Sequence, residues 1–94
     1  MRPCETQDPW GGRVVLTSAG WGHIIDGHAE ISPFLDCVLH AVREPDVITP
    51  DPHRGRWRYW QSGVGPSRWL YVVVDWNAAE PYVVTAYGKR KDPP

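Results

Sequence analysis

Four histidines stand in the sequence, His23, His28, His40 and His53. An imidazole can take or give a proton near neutrality, because its unperturbed pKa is about 6.5. Basic residues crowd the second half, with Arg54, Arg56 and Arg58 at alternate positions, then Arg68, then Lys89-Arg90-Lys91. A guanidinium presents a planar fork that matches two oxygens of a phosphate. With hydroxyls such as those of Thr85 and Tyr87 nearby, these residue types suit acid–base work on a phosphate ester. They do not suit metal chemistry. Carboxylates form no convincing cluster, and Cys37-x-x-His40 lacks a matching second ligand pair, so neither a metal nor a cofactor is expected.

The overall charge of −1 by itself argues against a nucleic-acid partner, but the distribution does not. Residues 1–50 hold three basic groups against seven acidic ones, whereas residues 51–94 hold seven against four. A locally positive surface can bind phosphates while distant acidic groups balance the total. At 94 residues with 41% apolar content and six tryptophans, one small domain can still build a core, since each large aromatic covers about 150–250 Å². The first nine residues contain no apolar signal-peptide core, and no apolar run approaches the roughly 20 residues of a membrane span. A cytoplasmic protein with no membrane partner is the expectation.

The elements that must position these residues follow from pattern. Residues 1–12 read as a flexible tail, 13–91 as a single domain and 92–94 as a C-terminal tail. Arg13–Thr17 is β-branched and extended, and Ser18 can cap a helix over about 19–28. Gly27 offers that helix a C-terminal turn, which would leave His28 at the corner. Ser32-Pro33 signals a second helix start, and the apolar positions Phe34, Leu35, Val38, Leu39, Ala41 and Val42 keep a helical period until Pro45. Pro45-Asp46-Val47-Ile48 leads into a loop over residues 49–55. Three strands follow, over 56–61, 69–76 and 82–87, joined by links short enough to make antiparallel hairpins. The fold class is therefore α+β, with two N-terminal helices packed on one face of a C-terminal antiparallel sheet. Strict alternation would put Arg56, Arg58 and Trp60 on one face of the first strand, and Val83, Thr85 and Tyr87 on one face of the last. The most economical arrangement gathers both sets on the open face. Phe34, Val38, Leu39, Val42, Val72, Val74 and Val84 are expected in the core.

One stretch carries a resemblance. Trp21-Gly-His23-Ile24, then His28-Ala29-Glu30-Ile31, then Pro45-Asp46-x-Ile48, Arg56-Trp57-Arg58-Tyr59-Trp60, Tyr71–Asp75 and Val84-Thr85-Ala86-Tyr87 follow one another in order. This series resembles the phage-type members of the barnase, EndoU, colicin and RelE-like (BECR fold) nuclease group, over about residues 13–91. Ala29 departs from the proline usual in that group's His-Pro-Glu turn and loosens it. The resemblance implies a small toxin-like ribonuclease that works without metal, cleaving RNA by internal transesterification to a 2′,3′-cyclic phosphate. Such a domain takes RNA as substrate and can meet a cognate inhibitor protein.

That chemistry assigns the residues. His28 is the first candidate for acid or base and His23 the second; Arg58 is the phosphate clamp and Arg56 its understudy. Thr85 and Tyr87 would hydrogen-bond the phosphate or orient a histidine. Lys89 and Lys91 would extend the phosphate track, and Tyr59 and Trp60 would stack an extruded base. The competing reading is a non-catalytic module on the same fold that binds RNA or protein.

Overall fold

A computed structural model describes residues 4–94. Two strands open the chain, β1 (Cys4–Gln7) and β2 (Arg13–Leu16), followed by helix α1 (Ser18–Gly27), a 3₁₀ helix (Ala29–Phe34) and helix α2 (Leu35–Arg43). Four strands complete it: β3 (Val47–Pro50), β4 (Arg56–Ser62), β5 (Trp69–Asp75) and β6 (Tyr82–Lys89). The fold is α+β. The helices are not N-terminal, however, because β1 and β2 precede them. Residues 1–3 of the expected tail lie outside the described residues, and 4–7 pair antiparallel with β2, Cys4 opposite Leu16 and Gln7 opposite Arg13. Cys-Glu-Thr-Gln carries no strand propensity worth reading. Its pairing comes from the turn at residues 8–12, where the Asp8 carboxylate accepts from the Gly12 and Trp10 N–H groups at 2.7 and 3.1 Å. Gly11 supplies a φ of 85° at that turn. Thr6 Oγ1 then donates to the Leu39 carbonyl at 3.1 Å, tying β1 to α2.

All six strands form one sheet in the order β1-β2-β6-β5-β4-β3. The run β3 to β6 is antiparallel throughout, as short links require, and β5 lies inside it. Between β2 and β6 the pairing is parallel, with Val15 beside Tyr82 and Val15 N–H donating to the Pro81 carbonyl at 2.9 Å. The sheet is therefore mixed rather than antiparallel. No short link joins β2 to β6, so connection length could not dictate their direction. β3, which spans the expected lead-in and the start of the expected loop, pairs with β4 as an edge strand of β-branched residues that closes on Pro50, a position where a missing N–H is tolerated.

The helices follow their local signals with two shifts. Thr17, not Ser18, caps α1, its hydroxyl accepting from Gly20 N–H at 2.9 Å. α1 ends at Gly27, with His28 N–H donating to the Ile24 carbonyl at 2.8 Å. Ser32-Pro33 does not begin the second α-helix; it lies within the 3₁₀ helix. Pro33 brings no donor to that ladder, and α2 takes over at Leu35.

The main core joins Trp21 and Ile24 of α1, Ile31, and Val38, Ala41 and Val42 of α2 to strand residues that include Val14, Leu16, Tyr59, Val72 and Ala86. Of the expected core residues, Val38, Val42, Val72 and Val74 are fully buried, but Phe34, Leu39 and Val84 only partly. A second cluster, Trp60, Tyr71 and Val73 with Trp69, Val84 and Tyr87 against it, is made of strand residues alone. A bulge separates the two sets on β6, because Val73 faces Thr85 while Val74 faces Val83. One extra residue reverses the alternation. Val83 thus joins Ala86 in the main core instead of sharing a face with Thr85 and Tyr87.

Candidate active site

Register across the three long strands sets the floor of the site. Arg58, Val73 and Thr85 form one row, and Trp60, Tyr71 and Tyr87 the next. Onto this floor the corner after α1 delivers His28. Its ring stacks on Tyr87 with centroids 4.6 Å apart and planes 22° from parallel, and its Nδ1 lies 3.5 Å from a Glu30 carboxylate oxygen. Tyr87 in turn meets Tyr71 edge-on at 4.2 Å. Arg58 lies with Cζ 5.0 Å from the Tyr71 ring centre, and Lys89 Nζ lies 5.7 and 5.9 Å from the Trp60 and Tyr71 rings. Both are cation–π distances. Histidine, phenol, guanidinium and ammonium therefore occupy one continuous surface, drawn from residues 28, 58, 71, 87 and 89.

Its electrostatics are partly self-balanced. Arg58 Nε donates to Asp51 Oδ1 at 2.8 Å, with both side chains largely buried. Burial pushes the Asp51 carboxyl up, but hydrogen bonds from Arg58 and the His53 N–H, with the arginine's charge, outweigh it and hold the group below the usual carboxylate range. Burial raises the Tyr71 phenol above its ordinary value, and the adjacent Tyr87 adds to the rise. Arg56 donates to Asp75 at 3.0 Å, which holds that carboxyl low as well. Each clamp arginine thus comes with a carboxylate. The contact of Arg58 with Asp51 runs through Nε, and Lys89 makes no ion pair among the described residues.

Other expected site residues lie elsewhere. His23 is exposed on α1, and among the described residues it makes no hydrogen bond, ion pair or ring contact with this surface. Tyr59 belongs to the main core, its hydroxyl accepting from Trp76 Nε1 at 3.1 Å, so alternation places it on the opposite side from Trp60. Trp60 itself is fully buried, with Nε1 donating to Thr49 Oγ1 at 2.8 Å, and presents no open ring face. Lys91 is exposed beyond the end of β6. Thr85 is half-buried in the Arg58 row. Tyr71, Asp51 and Thr49 were not among the candidates. Tyr71 is masked in a strand apolar on both faces, although period 2 from Val73 would have found it; Asp51 sits in a loop where no local signal points to Arg58.

Comparison with protein-family models, with curated proteins and with solved structures finds no match.

Proposed function

We propose that this chain is a small metal-independent endoribonuclease of the toxin type suggested by the BECR resemblance. One observation carries the reading: His28 stacks on Tyr87 beside the Arg58 guanidinium and the Lys89 ammonium. In this reading the helices cover one face of the sheet and RNA meets the other. Arg58, through its terminal nitrogens, and Lys89 hold the scissile phosphate. His28 takes the proton of the 2′-hydroxyl, whose oxygen attacks phosphorus. The 5′-oxygen leaves with a proton from the Tyr87 phenol or water, giving a 2′,3′-cyclic phosphate and a 5′-hydroxyl. Thr85 hydrogen-bonds a phosphate oxygen. The setting would be cytoplasmic, with RNA as substrate and a cognate inhibitor as protein partner.

The pairing of Arg56 and Arg58 with carboxylates favours a second reading, a non-catalytic RNA- or protein-binding module, since it reduces the free positive charge available to phosphate. Incubating the purified protein with total RNA in excess EDTA separates the two. Cleavage to cyclic phosphate ends is expected, and His28→Ala should lower its rate by about 10²-fold or more, in the range that acid–base catalysis supplies. His23→Ala should do less. No cleavage refutes the ribonuclease reading, and cleavage that needs magnesium refutes the metal-independent mechanism.

A further inference from the structure

At the turn between β1 and β2 the chain builds a second site, independent of the ribonuclease reading. Trp10, Trp57, Tyr59 and Trp76, with Ile48 and Asp8, line a groove of about 270 Å³. Trp10 and Trp57 are 78% and 42% exposed, a costly placement for two indoles unless something covers them. The wall is closely fitted: a Cβ on Gly12 would come within 2.8 Å of the Trp76 ring and 3.1 Å of Asp8 Oδ1. The polar atoms of Trp76 and Tyr59 satisfy each other, Nε1 donating to the phenol oxygen at 3.1 Å. Burial pushes the Tyr59 phenol up to about 12, so it stays neutral, and Asp8 is the one acidic side chain in the lining. Asp8 Oδ1 holds the turn, whereas Oδ2 has no hydrogen-bond partner among the described residues.

Four aromatic side chains and one carboxylate define a chemistry. The negative faces of the rings attract a cation, and the carboxylate selects for positive charge. An apolar lining penalises a strongly hydrated ammonium, because that ion must give up water it cannot replace. A methylated ammonium loses much less and adds apolar contact. The volume lies just under the range of pockets that take whole drug-sized ligands, which suits a head group on a short tether. We propose that the Trp10–Trp57–Trp76 groove binds a quaternary ammonium group of a small soluble compound, with Asp8 as its counter-charge.

Calorimetric titration of the full chain with choline, alongside its neutral carbon isostere 3,3-dimethyl-1-butanol, tests this. Indole N–H resonances are followed by NMR. Choline is expected to bind and to shift Trp10, Trp57 and Trp76 while leaving Trp60 and Trp69 in place, with the isostere binding more weakly. Trp57→Ala should weaken choline by about 3- to 30-fold, the loss of one cation–π contact. Asp8→Asn keeps the Oδ1 acceptor that the turn needs. It should weaken choline while leaving the isostere unchanged. The proposal is overturned if the isostere binds as tightly as choline, if Asp8→Asn leaves choline affinity intact, or if choline shifts none of the three indoles.

Discussion

Replacing Thr49 with valine exchanges one hydroxyl for a methyl and preserves the β-branched shape that the edge strand needs. The hydroxyl accepts from Trp60 Nε1 at 2.8 Å, and Trp60 is 0% exposed while Thr49 is 7% exposed. Valine therefore leaves a dry indole N–H with no acceptor, at a cost of about 1–3 kcal/mol. A chain of 94 residues is stable by only about 5–14 kcal/mol at the usual 0.05–0.15 per residue, so this is a large share. At about 4–8 °C per kcal/mol for a domain of this size, Tm should fall by about 4–24 °C. Urea unfolding followed by far-UV circular dichroism measures the change, and the slope should not alter, because the same surface is exposed. Thr85→Val is the matched control. Its hydroxyl makes no hydrogen bond among the described residues, so its cost should stay within about 0.5 kcal/mol. If Thr49→Val destabilises no more than Thr85→Val, Trp60 N–H has found another acceptor or water, and the reasoning that it depends on Thr49 is wrong.

Thr17→Ala should cost about 1 kcal/mol by uncapping α1, whereas Ser18→Ala should be close to neutral; reversed costs in chemical denaturation would move the cap. Asp51 has a folded pKa below its unfolded value of about 3.9, so its contribution is present above that value and is lost as pH falls through the lower, folded pKa. Asp51→Asn should therefore be less stable at neutral pH, by about 1–3 kcal/mol for the lost charge-assisted bond, and the gap to the parent should narrow in acid titration as the Asp51 carboxylate of the folded parent becomes protonated. Val38→Ala, at a fully buried position of α2, should cost about 1–4 kcal/mol in urea unfolding, and a cost below 0.5 kcal/mol would show that α2 does not seal the core.

Much of this protein is written locally. The helical period of Leu35, Val38, Ala41 and Val42 depends on neighbours three and four residues apart, so it is readable wherever the helix docks. The β-rich stretches of β4, β5 and β6 and the break at Gly27 are equally local, as are the residue types that make His28, Arg58, Tyr87 and Lys89 candidates. Relations between distant residues are another matter. β1 has a polar sequence and becomes a strand only because a turn folds it onto β2. No short link joins β2 to β6, so nothing local dictates that they pair in parallel. The bulge at Val73/Val74 sends Val83 inward and keeps Thr85 and Tyr87 with Arg58, overriding an alternation that the sequence alone shows as unbroken. His28 reaches Tyr87, and Asp51 captures the Nε edge of Arg58, through contacts that no spacing along the chain encodes. Local hydrogen bonds and side-chain sterics choose the elements; register, strand direction and charge pairing emerge only when those elements bury one another's apolar faces.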